Sequence, residues 1–132
     1  RLLLKVGDLM HVGSRIPLVP EQGSGQDAIF EMTAKRFGMT GVVDHQGELV
    51  GIITDGDLRR HLEGGHALLS KKAGALMTPR PQTISAEALA VAALRRMEEK
   101  KITSLFVHPG GEDSGGVLGV IHLHDLLQAG LM

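Results

Sequence analysis

The 132 residues contain no cysteine, no tryptophan and no tyrosine. Without cysteine there is no disulfide framework, no thiolate nucleophile and no Cys-ligated zinc. Phe30, Phe37 and Phe106 are the whole aromatic complement, too few for a surface that stacks bases or sugar rings. Charge of one sign is also lacking, since 14 Lys plus Arg against 15 Asp plus Glu give a net charge of -1. A duplex nucleic-acid binder needs surplus positive charge to neutralise phosphates, and an anionic membrane surface asks for the same. No nucleic acid and no membrane is therefore expected as a partner. The apolar runs are too short to cross a bilayer and nothing resembles a secretory signal, so the expected location is cytoplasmic. The spacing offers no Ser-His-Asp arrangement and no paired carboxylates, and the glycines form neither a Walker loop nor a dinucleotide fingerprint.

What remains is enough to fold. Hydrophobic residues make up 42% of the chain, and the 18 glycines fall mostly at turns, helix ends and strand junctions. Arg1 is followed by Leu2-Leu3-Leu4, which reads as a module cut from a longer protein, with this apolar start as linker or interface.

Sliding the sequence against itself reveals a tandem repeat. Val6-Gly7-Asp8-Leu9-Met10 matches Ala73-Gly74-Ala75-Leu76-Met77 at an offset of 67, and Gly51–Leu58 matches Gly119–Leu126 at an offset of 68. Between these anchors each half offers a helix, a strand, a Gly-rich hairpin, a second strand and a short helix. In the first half Ser24 and Asp27 form a capping-box variant. Ala28, Ile29, Met32 and Phe37 mark a buried stripe ending near Gly38, Thr40–Val43 is a strand, and Gln46-Gly47 turns it back through Leu49–Ile53. In the second half Ser85 is expected to cap a helix with Leu89, Ala93, Leu94 and Met97 inward. Ile102–Val107 is then a strand, and a turn through Gly110-Gly111 and Gly115-Gly116 leads to Val117–Ile121. Met10, Met77, Met32 and Met97 read as core fillers.

The fold class expected is α+β, two βαββα repeats of residues 6–62 and 73–131 joined by a connector of residues 63–72. Neither repeat can bury its sheet and helix faces alone at about 60 residues. Packing about a pseudo-two-fold axis would bury them and leave two equivalent clefts.

Gly51-Ile52-Ile53-Thr54-Asp55-Gly56-Asp57 follows the pattern Gly-apolar-x-Thr-x-x-Asp. It resembles the signature of cystathionine-β-synthase (CBS) repeats, and the whole chain resembles a CBS pair, or Bateman module. Met10-His11, Ile16-Pro17, Gly38-Met39-Thr40, Thr54–Arg60, Met77-Thr78-Pro79, Ile102-Thr103-Ser104 and His122–Leu127 point further. Together they resemble the C-terminal regulatory region of the D-arabinose 5-phosphate isomerases of Kdo biosynthesis, which serve lipopolysaccharide or capsule. The resemblance implies a catalytic sugar-isomerase (SIS) domain preceding the pair, and no enzymatic activity, catalytic residue or required cofactor in this stretch.

Thr54 and Asp57 have two readings. Locally, Thr-x-x-Asp at a strand-to-helix junction is a capping box, worth about 0.5–2 kcal/mol without any ligand. Functionally, helix N–H groups and the Thr hydroxyl suit a phosphate, while the carboxylate suits ribose hydroxyls. The resemblance implies the second use as well. In the second copy His122 replaces Thr54 while Asp125 is kept, so that end can titrate near neutrality.

Carried over by position, one cleft joins Thr54 and Asp57 to Thr83 and to Thr103-Ser104. The other joins His122 and Asp125 to Ile16-Pro17 and Thr40-Gly41. Arg59, Arg60 and Lys101 are the candidate cations for phosphate or carboxylate. Arg59 and Arg60 head roughly 100° apart on a helix, so at most one faces a given cleft. The ligand implied is a nucleotide or nucleotide sugar, with CMP-Kdo as feedback ligand ahead of AMP or ATP. His122 and His124 supply only two of the ligands a metal needs, so no metal is expected. His11, His45, His61, His66 and His108 read as surface residues. The rival reading is an oligomerisation scaffold, a homo-dimer or higher homo-oligomer, with vestigial clefts.

Overall fold

The computed structural model describes residues 3–65, 67–110 and 116–131. Leu2, His66, Gly111 and Gly115 lie outside them. In chain order the elements are α1 (Val6–Leu9), β1 (Leu18–Pro20), α2 (Gly25–Lys35), β2 (Met39–Val43), β3 (Leu49–Thr54), α3 (Asp55–Glu63), α4 (Ala73–Leu76) and β4 (Thr78–Pro79). There follow β5 (Thr83–Ser85), α5 (Ala90–Lys100), β6 (Ser104–His108), β7 (Gly119–His122) and α6 (Leu123–Gln128). The result is a mixed α/β fold with two sheets.

The elements gather into two compact units. A central unit holds Pro17–Pro81, and a terminal unit combines the residues up to Ile16 with those from Gln82 onward. In the central sheet the order is β1-β2-β3-β4: β1 runs parallel to β2, and β2–β3 and β3–β4 are antiparallel. The terminal sheet repeats this as β5-β6-β7, with β5 parallel to β6 and β6 antiparallel to β7. Its fourth strand shrinks to one antiparallel bridge of His11 with Val120, where the central unit pairs Thr78 with Ile52.

Each unit is thus completed by the opening of the other sequence repeat. Val6 N–H donates to the Ala88 carbonyl (2.8 Å), Gly7 N–H to Ala86 (2.9 Å) and Ala90 N–H to Leu4 (2.7 Å). In the central unit the same ladder reads Ala73 to Gly23 (2.7 Å), Gly74 to Glu21 (2.9 Å) and Gly25 to Lys71 (2.8 Å). The matched glycines follow from this exchange. A Cβ on Gly51 would lie 2.4 Å from Met77 Sδ, and one on Gly119 would lie 2.6 Å from Met10 Sδ. Each glycine therefore leaves room for the methionine of an opening segment, and an added methyl would overpack the core at about 1–3 kcal/mol.

Two cores result. The terminal one gathers Val6, Ile84, Ala93, Leu94, Met97, Leu105, Ile121 and Leu126. The central one gathers Val19, Ala28, Met32, Val42, Ile53, Leu68 and Leu76.

The capping box of Ser24 with Asp27 is present, and α2 stops at Lys35 because Arg36 turns left-handed. Ser85 does not cap a helix. It closes β5, where its Cα stands opposite His108, and its hydroxyl accepts from Glu87 N–H (3.0 Å). The residue standing where Ser24 does is Leu89, which precedes α5 without any side-chain cap. Leu89 is 41% exposed instead of inward. The stretch from Ala86 to Leu89 is held extended by the opening segment, which delays the helix. β6 begins at Ser104 and β7 at Gly119, both later than the apolar runs suggest.

Candidate functional site

In the central unit β3 runs directly into α3, and Thr54 is the junction. Its extended backbone (φ -114°, ψ 170°) turns its hydroxyl over the first turn, where it accepts from Asp57 N–H at 3.2 Å. The Asp57 Oδ2 accepts from Thr54 N–H (2.9 Å) and from the Thr54 hydroxyl (3.1 Å). Its Oδ1 accepts from the Thr78 hydroxyl (2.7 Å) and from the Arg60 guanidinium. Asp57 is buried, at 4% exposure. Burial alone would raise its carboxyl. The hydrogen bonds from Thr78, the Thr54 backbone, Arg60 and the Thr54 hydroxyl outweigh that and hold it below the ordinary carboxylate value.

The terminal unit builds the same motif from different chemistry. His122 is the N-cap of α6 and its Nδ1 accepts from His124 N–H (2.9 Å). Asp125 Oδ2 accepts from His122 N–H (2.8 Å), and Asp125 Oδ1 meets His11 Nε2 at 2.8 Å. Burial lowers the His122 imidazole; nearby His124 and His11 push the same way, and Asp125 opposes them. An Nδ1 that accepts a backbone N–H is a neutral nitrogen, which agrees with that direction. Asp125 also borders an open depression of about 310 Å³ with Asp8, Leu9, Gln128 and Ala129.

His11 and Thr78 are the residues that sequence reasoning missed. They occupy equivalent places, each holding the acid of its unit. The signal was in Met10-His11 and Met77-Thr78, which share the offset of 67. His11 is no surface histidine: its side chain is 30% exposed and tied to Asp125.

The other expected residues divide between the units. In the central unit Thr40 is fully buried beside Thr54, because Met39 stands opposite Thr54, and its hydroxyl donates to the Gly41 carbonyl (3.2 Å). Buried Pro17 accepts from Gly41 N–H (2.9 Å). Arg60, not Arg59, reaches Asp57, while Arg59 is exposed on α3. In the terminal unit the Thr103 carbonyl accepts from Leu123 N–H (2.8 Å), and buried Ser104 stands opposite His122. Thr83 lies on β5, its carbonyl accepting from Arg96 (2.8 Å). Lys101 is exposed in the left-handed turn that ends α5, and half-buried Ile16 follows the turn after His11. Among the described residues no group of three His, Asp or Glu is arranged to hold a metal ion. No helix among them is long and apolar enough to cross a membrane.

Two sheets that share a parallel-then-antiparallel strand order, in which β3 and β7 each run into a capped helix with an acid in its first turn, define a duplicated CBS module. The chain belongs to the CBS domain family, whose model matches residues 6–64 and 73–131. Over its whole length it is 46% identical to the arabinose 5-phosphate isomerase KdsD of Pseudomonas aeruginosa and 42% identical to that of Escherichia coli K12. It spans 40% and 39% of the length of these relatives. Among solved structures it resembles CBSX2 in complex with AMP at 27% identity, covering 96% of each chain with a TM-score of 0.78. A CBS-domain protein of Agrobacterium tumefaciens, 22% identical, shares the fold with a TM-score of 0.79, over 96% of this chain and 98% of that one.

Proposed function

We propose that this chain is the regulatory CBS pair of an arabinose 5-phosphate isomerase of Kdo biosynthesis. It senses a nucleotide or nucleotide sugar, with CMP-Kdo as the feedback ligand, at one or both Thr/His-x-x-Asp motifs. The observation that supports this most is 46% identity to a KdsD isomerase along all of the chain. The capped, acid-bearing helix starts add a place for hydroxyl-rich ligands, and CBSX2, solved with AMP, shows a relative of this fold holding a nucleotide. Catalysis belongs to an SIS domain outside this stretch, acting in the cytoplasm. Binding biases that domain only through a difference in ligand affinity between two arrangements of the pair.

A thermal-shift titration against AMP, ATP, CMP, CMP-Kdo and arabinose 5-phosphate tests the reading. At 100 times its dissociation constant a ligand stabilises by about 2.7 kcal/mol, several degrees for a domain of this size. A shift with CMP-Kdo alone is the expected result. A shift with AMP or ATP makes the module an adenosine-nucleotide sensor. If nothing shifts it, the scaffold reading takes over, favoured by exposed Leu3 (84%), Phe30 (69%) and Leu62 (59%). Concentration-dependent self-association would then be the thing to measure.

A further inference from the structure

The chain has six methionines, of which Met132 lies outside the described residues. Met32, Met39 and Met97 are buried, at 8%, 6% and 2% exposure. Met10 and Met77 are half-buried. They stand at matched repeat positions, Met10 after α1 and Met77 after α4, and each packs against the core of its unit. Each sulfur takes the place that a side chain on the facing strand glycine would fill, Gly119 for Met10 and Gly51 for Met77. The other atoms nearest that place are the methionine Cγ and the carbonyl oxygen of the next residue. They lie 3.0 and 2.8 Å from it at Gly119, and 2.8 and 2.9 Å from it at Gly51. Neither donates a hydrogen bond. A thioether needs no donor there, but an oxygen added to it would. The next residue in each segment holds the strand: His11 exchanges backbone bonds with Val120 (2.8 and 3.0 Å), and Thr78 pairs with Ile52. The Thr78 hydroxyl also donates to buried Asp57 (2.7 Å).

We propose that Met10 and Met77 are paired oxidation sites, at which conversion to the sulfoxide releases the opening segments from their strands. The oxidant is a hydroperoxide. A sulfur lone pair attacks one peroxide oxygen, the S–O bond forms as the O–O bond breaks, and sulfur gives up two electrons. The leaving hydroxide takes the proton of the transferred hydroxyl and departs as water. The sulfoxide brings a strong acceptor to a place lined by a methylene and a carbonyl oxygen, so the methionine must withdraw from its glycine. Withdrawal parts Thr78 from Ile52 and His11 from Val120, and it takes the Thr78 hydroxyl away from Asp57. A methionine sulfoxide reductase reverses the step, removing the oxygen as water while two thiols become a disulfide. Leucine would fill a similar volume at both positions without this chemistry. The step needs no bound ligand.

The test treats the 132-residue chain with hydrogen peroxide and maps the products after trypsin, which leaves each methionine on its own peptide. Met10 and Met77 are expected to gain oxygen about tenfold faster than Met32, Met39 and Met97, as their exposure dictates. The oxidised chain is expected to melt several degrees lower. Hydrogen exchange should quicken at residues 49–54 and 119–122, the strands that face the two methionines. Reductases specific for the two sulfoxide epimers, supplied with dithiothreitol, should restore both readouts. The chain carrying both Met10→Leu and Met77→Leu should keep its melting temperature through the same peroxide treatment. Oxidation of Met132 is common to both chains and cancels. Should the double variant not fold, the single variants serve: each should protect only its own strand, residues 119–122 for Met10→Leu and 49–54 for Met77→Leu. Three results would overturn the proposal. They are oxidation of the three buried methionines as fast as Met10 and Met77, an unchanged melting temperature once both are sulfoxides, and an equal fall in the substituted chain.

Discussion

At the position of the helix cap, one residue type decides whether a unit senses acid. Thr54 accepts from the backbone through a hydroxyl, which keeps its lone pairs throughout the physiological range; His122 accepts through Nδ1. Protonation turns that acceptor into a donor and ends the cap. The His122 imidazole is lowered, first by burial and then by His124 and His11, against Asp125. The sign follows: its contribution is complete above the unfolded histidine value of about 6.5 and is lost as pH falls through the lower folded value. The Asp57 carboxyl is also lowered, so what it contributes is complete above about 3.9 and is lost only in stronger acid. Replacing His122 by Thr should therefore stabilise the protein relative to the natural sequence at pH 5.5 but not at pH 7.5. The difference is about 1 kcal/mol, the size of one N-cap, and urea unfolding at the two pH values measures it. An equal effect at both would show that the imidazole is not the titrating cap.

The long helices show how a repeat diverges without losing its frame. α2 starts on the reciprocal Ser24–Asp27 box, whereas α5 starts behind Leu89 with no side-chain acceptor. Both caps nonetheless form the same antiparallel bridge, Ser24 with Lys72 and Leu89 with Lys5. The backbone ladder of the opening segment fixes where each helix begins, and the cap residue only adjusts its stability. Leu89→Ser should then raise stability by about 0.5–1 kcal/mol, the usual gain of an N-cap less a little apolar contact. A drop in thermal midpoint would mean that partly exposed Leu89 contributes more by packing than the missing cap costs. This helix also marks where the sequence was legible and where it was not. Ser24, Thr54 and Asp57 could be read because a capping box is local, spanning three residues of chain. Ser85 misled because a Ser followed by an apolar stripe looks the same whether or not a distant segment stretches the residues between them. The His11–Asp125 and Thr78–Asp57 contacts, 114 and 21 residues apart in the chain, lay beyond local pattern altogether. Only the offset between the repeats pointed to them.

For the chain as a whole, the sequence repeat and the folding unit are different objects. Residues 6–64 and 73–131 are the stretches that match the family model, but the compact units are Pro17–Pro81 and the two terminal stretches together. The exchange has an energetic logic. A stretch ending at Glu63 leaves β3 without β4, Gly51 without Met77, and the central core without buried Leu68, Ala73 and Leu76. Burying a large aliphatic side chain is worth about 1.5–3 kcal/mol, which is a serious fraction of the stability available to a domain of 60-odd residues. It would also leave the Asp57 carboxylate buried without its Thr78 partner. Two fragments of nearly equal length separate the alternatives. A fragment of residues 17–81, cut along the compact unit, should show the circular dichroism of a mixed α/β fold and a cooperative thermal transition. A fragment of residues 1–64, cut along the sequence repeat, should show neither. The reverse result would mean that the opening segments are dispensable trim on a self-sufficient repeat.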